Sequence, residues 1–236
     1  MTMCIDCGRA PAADGRRVCD DDCLATFIRD WERCHGLPPG GRDPAEVEHE
    51  LACRRGAALL LHGRLTRHRD DETAGMTLVL AECHARPGLT PAAALVGPAL
   101  TLATWITDPW RDPFAGRLRD AGAIATAEAQ VTDDGELARD CRATEAAAGV
   151  MRGRLTGDQE LEAHGWTQAG ALAAEHDATA AGLLLGPILG LTDDHLRGAA
   201  RERLVDTLRD VLMTWAPVPD TAAGLTDLDD DAGGAP

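Results

Sequence analysis

The sequence predicts a mainly α protein: a small N-terminal module held by cysteines, then a helical domain with room for a small β-hairpin or short strands. Three observations carry this. Four of the eight cysteines fall between Cys4 and Cys23. The 236 residues include only two Phe, five Trp and no Tyr, so the core must be built from Ala, Leu and Val, which suits closely packed helices better than broad sheets. Several segments also repeat apolar residues at three- and four-residue spacing. The length allows one medium domain or two small ones. The expected division is a module over 1–36, a Pro/Gly linker over 37–44, a helical domain over 45–216 and a disordered acidic tail over 217–236.

The opening stretch "CIDCGRAPAADGRRVCDDDC" places Cys4-x2-Cys7 eleven residues before Cys19-x3-Cys23. Gly8 directly after the first pair marks a knuckle, a tight turn that aims backbone N–H groups at thiolates. The second pair opens a helix, "CLATFIRDWERC", in which thiolates at i and i+4 share one face and reach one ion. No basic region followed by an apolar run opens the chain, so no signal peptide is expected and a cytoplasmic setting is. In a reducing compartment such cysteines are metal ligands rather than disulfides. Four thiolates make the closed tetrahedral site of one structural zinc ion.

This string resembles the small treble-clef zinc fingers with the pattern CxxCG, a short basic turn, then FCSxxC leading into a helix. Cys4, Cys7, Gly8, Cys19 and Cys23 match it position for position, and Arg16 and Arg17 occupy the basic turn. Val18 stands in place of the usual Phe and Asp20 in place of the usual Ser, so the resemblance is to the metal frame. It covers about the first 35 residues and implies zinc. Such modules serve in nucleic-acid binding, in protein binding or as structural staples. Residues 1–36 carry five Arg against seven Asp or Glu. Asp20, Asp21 and Asp22 suit a helix N-terminus but repel phosphate. Both facts favour a staple or a protein-docking surface.

The linker "HGLPPGGRDP" precedes a helix that starts at Pro44 and aligns Val47, Leu51, Ala58, Leu61 and Leu65. The end of that segment gathers Arg64, Arg67, His68 and Arg69, the most basic patch. Cations at a helix C-terminus are favoured by its dipole, and a phosphate or RNA contact is the competing use. Met76–Glu82 has strand character. Residues 88–107 are uncharged; they are too rich in Ala, Thr, Gly and Pro to read as a membrane span. They predict buried helix, with Thr90 as N-cap, Pro91 at the first position and a break at Gly97–Pro98. "PWRDPFAGRLRDAG" reads as a Pro-punctuated connection that could form a surface groove, and "AIATAEAQV" fits strand or helix.

Further on, Leu137, Cys141, Thr144, Ala148, Met151 and Leu155 form a helical seam, on which Cys141 is a core residue. "TGDQELEAHGWTQAGALAAEHDATAAGLLLGPILG" predicts two helices separated near Gly182 or Gly186. A last helix is expected from Thr192, with Asp193 and Asp194 in its first turn, burying Leu196, Ala200, Leu204, Leu208, Val211 and Trp215. Pro217 and Pro219 stop it. The tail from Pro217 carries five Asp and no base.

Composition also limits the chemistry. The chain has no Lys, Ser or Asn, and all 23 basic residues are Arg. The missing Ser has no physical explanation in the sequence. These absences exclude a GxxxxGK phosphate loop, a Schiff-base lysine and a serine nucleophile. The net charge of −16 opposes non-specific binding to nucleic acid. No catalytic residues stand out. Glu46-x2-His49 has ExxH spacing, yet the second ExxH of a carboxylate-bridged di-metal bundle is missing. Glu160 with His164, the run Glu175-His176-Asp177, and Asp194 with His195 are coincidences that a Glu-rich chain produces. Cys34, Cys53 and Cys83 would each need a distant His.

The function expected is that of a non-enzymatic zinc-binding adaptor or regulator acting through a protein partner. By analogy with similar fingers it would serve transcription or nucleic-acid metabolism. Direct nucleic-acid binding is the first alternative. A metal-dependent enzyme using His and carboxylates is the second.

Overall fold

The computed structural model describes residues 44–214, and every regular element among them is a helix. The proposed zinc module, linker and acidic tail lie outside the described residues. Eight helices follow one another: α1 Pro44–Thr66, α2 Arg69–Ala85, α3 Pro91–Ala103, α4 Arg111–Val131, α5 Gly135–Thr156, α6 Gln159–Glu175, α7 Ala180–His195 and α8 Ala199–Thr214. None of them is long and apolar enough to cross a membrane.

The helices form two copies of one four-helix unit. Gly63-Arg64-Leu65-Thr66 at the end of α1 recurs as Gly153-Arg154-Leu155-Thr156 at the end of α5, a shift of 90 residues (153 − 63). Burial repeats with the sequence. Leu61 and Met151 are both fully buried, Val79 matches Ala169, and Leu65 matches Leu155. Residue for residue, 71–80 and 161–170 show the same alternation of buried and exposed positions. The third helices match after a one-residue shortening of the preceding loop. Thr90 caps α3 through the Ala93 N–H, and Thr179 caps α7 through the Gly182 N–H. Gly97-Pro98 recurs as Gly186-Pro187. Phe114, Leu118 and Ala121 on α4 return as buried Leu204, Leu208 and Val211 on α8.

Within each copy the first two helices form a tight antiparallel hairpin, α1 on α2 and α5 on α6, and the third helix packs on the first. The copies meet through α3 and α7. Like elements meeting each other is what a two-fold relation produces. In addition, α4 lies along α5. An Asp193 carboxylate ties the copies at one end. It is almost fully buried, accepting from Arg67 in the first copy's hairpin turn at 2.9 Å and from Arg201 of α8 at 2.8 Å. Arg67 sits in left-handed backbone (φ 62), where the second copy has Gly157 (φ 72). That conformation costs a non-glycine residue about 1–2 kcal/mol, and it is the one in which Arg67 pairs with the buried Asp193 carboxylate.

Several expectations are corrected. Met76–Glu82 is helix inside α2, and no strand or β-hairpin occurs among the described residues. Its local preference is overridden because Asp70, Asp71 and Glu72 favour a helix start and because Gly75 and Val79, one turn apart, face α1. Residues 91–103 form one helix that continues through Pro98, with the Thr101 hydroxyl donating to the Gly97 carbonyl. "PWRDPFAGRLRDAG" is no connection from Arg111 onward but the start of α4, with Pro113 in its first turn, where proline costs no hydrogen bond. "AIATAEAQV" is helical. The break between α6 and α7 falls at 176–179, not at Gly182 or Gly186. Thr192, Asp193 and Asp194 end α7 instead of opening the last helix.

The hairpins close on glycine. A Cβ added at Gly75 would lie 2.7 Å from the Gly56 carbonyl oxygen, and one at Gly165 would lie 2.8 Å from the Ala146 carbonyl oxygen. Gly170, one and a half turns on, faces open space. Gly75→Ala and Gly165→Ala should each destabilise by about 1–3 kcal/mol through overpacking. Gly170→Ala should stabilise by about 0.5–1 kcal/mol through helix propensity. Urea unfolding of the three variants checks this; a stabilised Gly165→Ala would contradict the close approach.

Candidate functional site

Cys4, Cys7, Cys19 and Cys23, with Cys34 and His35 beyond them, lie outside the described residues. Among the described residues no group of three or more His, Cys, Asp or Glu side chains is arranged to hold a metal ion. Glu46 is exposed, and His49 gives one ring nitrogen to another partner, so the ExxH pair gathers no site. Glu160, His164, Glu175, His176 and Asp177 are all exposed, and His195 is half-buried at the end of α7. Two of the four residues in the Arg64–Arg69 patch lie beside carboxylates. Arg67 pairs with Asp193, and His68 lies 3.3 Å from Asp71.

The structure does bring together one cluster of ionisable side chains that sequence reasoning scattered. His49 and Cys53 lie one turn apart on α1, and Glu82 approaches from α2. The His49 Nδ1 is 2.8 Å from the Glu82 carboxylate, and its Nε2 is 3.6 Å from the Cys53 sulfur. The sulfur is also 3.9 Å from Nδ1, so the thiol rests against the imidazole ring and not along the Nε2 lone pair. Cys53 is buried, while His49 and Glu82 are half-buried. Burial first, then the negative charge of Glu82, pushes the Cys53 thiol up to about 11. The cysteine was expected to need a distant His; the His it rests against is the residue four positions before it.

The second copy shows what this place looks like without the cluster. Ninety residues on, His49, Cys53, Glu82 and Cys83 become Arg139, Ala143, Leu172 and Ala173. Ala143, Leu172 and Ala173 are all buried. The fold is therefore satisfied by apolar packing at these positions, and the first copy carries polar, ionisable groups there instead.

A groove of about 550 Å³ opens between α4 of the first copy and α5 and α6 of the second. Ala129, Ala171 and Leu172 give it an apolar part to its lining, and Arg142, Glu145 and Glu175 give it charges of both signs. Arg142 and Glu175 approach to 3.6 Å. No protein-family model, curated protein or solved structure matches the chain.

The thiols set the alkaline behaviour of this protein. With no Lys and no Tyr, cysteines are the side chains that titrate between pH 9 and 11. Cys53 loses its proton near 9.0 when unfolded and near 11 when folded. In that window the unfolded state binds fewer protons than the folded state, so stability falls as pH rises. Cys53→Ala, the residue found at position 143, should flatten part of that loss. Urea unfolding at pH 8, 9, 10 and 11 measures it; an unchanged slope would show that Cys53 is not held as a buried thiol.

Proposed function

We propose that the chain is a non-enzymatic adaptor or regulator: an N-terminal module held by one zinc ion at Cys4, Cys7, Cys19 and Cys23, and a helical body that docks a protein partner. The groove between α4, α5 and α6 is the observation that carries the docking half. Its lining combines the small apolar Ala129 and Ala171 and the larger Leu172 with Arg142, Glu145 and Glu175. That combination suits a peptide segment of another protein, whose side chains bury small apolar area and pair with these charges. The net charge of −16 favours a protein partner over a phosphate backbone. The cysteine spacing supports the zinc half, because a module of about 36 residues needs a metal to fold. A role in transcription or nucleic-acid metabolism belongs to this reading by analogy with similar fingers.

Two measurements test the halves separately. Metal analysis of full-length protein purified without added metal should find one zinc per chain, lost in the Cys19→Ala, Cys23→Ala double variant. Zinc retained in that variant would sink the ligand assignment. For docking, a photo-crosslinking residue at Gln168 in the groove lining should capture a defined protein that the same residue at exposed Arg119 does not. Ala171→Trp, which narrows the groove, should weaken that complex about tenfold or more. Equal capture from both positions would refute a groove-directed partner.

A further inference from the structure

We infer that the partner segment seated between α4, α5 and α6 is basic, and that it presents an Arg or Lys side chain to Glu145 beside small apolar residues. The inference rests on the docking reading and adds the chemistry of the partner.

Charge around the groove is one-sided. Three helix segments enclose it, and two of them carry no Lys or Arg. From Asp120 to Val131, α4 has Asp120 and Glu128 and no Arg. Along its whole length α6 has Glu160, Glu162 and Glu175 and no Arg. Cations come from α5 alone, and three of its four are engaged. Arg142, in the groove itself, approaches Glu175 at 3.6 Å. Arg139 pairs with Asp140 at 2.8 Å, and Arg154 pairs with Glu162. The fourth, Arg152, stands two turns beyond Glu145, about 10 Å along the helix axis.

Glu145 is therefore the carboxylate left over in the lining. It lies one turn along α5 from Arg142 and is half-buried. No side chain among the described residues hydrogen-bonds or pairs with it. The uncharged polar residues of the lining are Thr126, Gln130 and Gln168, and the Thr126 hydroxyl already donates to the Gly122 carbonyl. A carboxylate partly withdrawn from water and lacking a counter-charge gains most from a cationic hydrogen-bond donor. Nor does the fold call for an acid here, since the matching position in the first copy is Arg55.

The apolar part of the lining fits the same occupant. Ala129 on α4 and Ala171 on α6 are small, and Leu172 offers a contact for the methylene stem of a long cation. The net charge of −16 steers a basic segment toward the protein before it docks.

The test selects displayed random dodecamer peptides on full-length protein and discards those that also bind Ala171→Trp. Ala171 is exposed, so the tryptophan occupies the groove rather than the core. Retained peptides, made with a fluorescein label, are titrated by fluorescence anisotropy. They should share an Arg or Lys, and replacing it by Met should weaken binding about tenfold or more. Glu145→Gln should weaken the parent peptide by a similar factor. The Met peptide should lose nothing further on that variant, because both changes remove one contact. Glu145→Arg, which installs the first copy's residue, should abolish binding. Far-UV circular dichroism checks that each variant folds, and the two peptides compared on wild-type protein need no Glu145 variant. Retained peptides that share no cation, or that bind wild type and folded Glu145→Gln equally, would overturn this inference and leave the docking reading in place. Finding no peptide that separates wild type from folded Ala171→Trp would remove the docking reading, and this inference with it.

Discussion

Backbone-to-backbone contact inside the two helical hairpins is the constraint on which the body depends. Gly75 and Gly165 bring their helices so close that a methyl group would meet a carbonyl oxygen at 2.7–2.8 Å. Gly63 and Gly153 do the same where each hairpin turns, against the first turn of the following helix. Such proximity lets a core made mostly of Ala, Leu and Val, with Phe114, Met151 and Ile188 among its few larger side chains, reach close packing, since small side chains fill the space only when helices nearly touch. The third helix of each copy then lies across its hairpin, and α3 meets α7 between the copies. Asp193, held by Arg67 and Arg201, fixes the turn of one copy against the end of the other.

Because the unit occurs twice, the protein records which positions the fold needs and which it leaves free. Leu65 with Leu155, the same residue in both copies, and Val79 with Ala169, apolar in both, are buried in both. Positions that differ mark where the copies have taken separate tasks. The first copy has His49, Cys53 and Glu82 where the second has Arg139, Ala143 and Leu172. In the second copy, Leu172 lines the groove proposed as a docking surface. One unit thus places ionisable side chains where the other places apolar ones, on a shared frame.

The helical class was legible from composition, because a core without Tyr and nearly without Phe needs close helices. The Thr90–Pro91 start was legible as well, and so was most of the seam from Leu137 to Leu155: Cys141, Ala148, Met151 and Leu155 are buried, Thr144 is half-buried, and Leu137 at its start is exposed. Met76–Glu82 misled because its β-branched and aliphatic run is a local signal, whereas its helix is set by the acidic first turn and by contact with α1. Gly97–Pro98 and Gly186–Pro187 were each taken as breaks, yet both lie inside continuous helices. Their recurrence, with that of Gly-Arg-Leu-Thr, was the visible signal of duplication. It is short and separated by a one-residue difference in loop length, so each occurrence reads as an ordinary local feature. The Cys53 cluster was only half visible: His49 and Cys53 are one turn apart in sequence, but Glu82 arrives from α2 through the hairpin.

The account stands or falls on the claim that the His49–Cys53–Glu82 cluster is an addition to a fold that does not require it. The direct measurement is the melting temperature of the full-length triple variant His49→Arg, Cys53→Ala, Glu82→Leu, which installs the second copy's residues in the first. A melting temperature equal to or above that of the wild type is the result this account gives, since Ala143 and Leu172 already pack in the same setting. A fall of more than about 5 °C, equivalent to roughly 1–2 kcal/mol in a body of this size, would contradict it and make the cluster part of the scaffold.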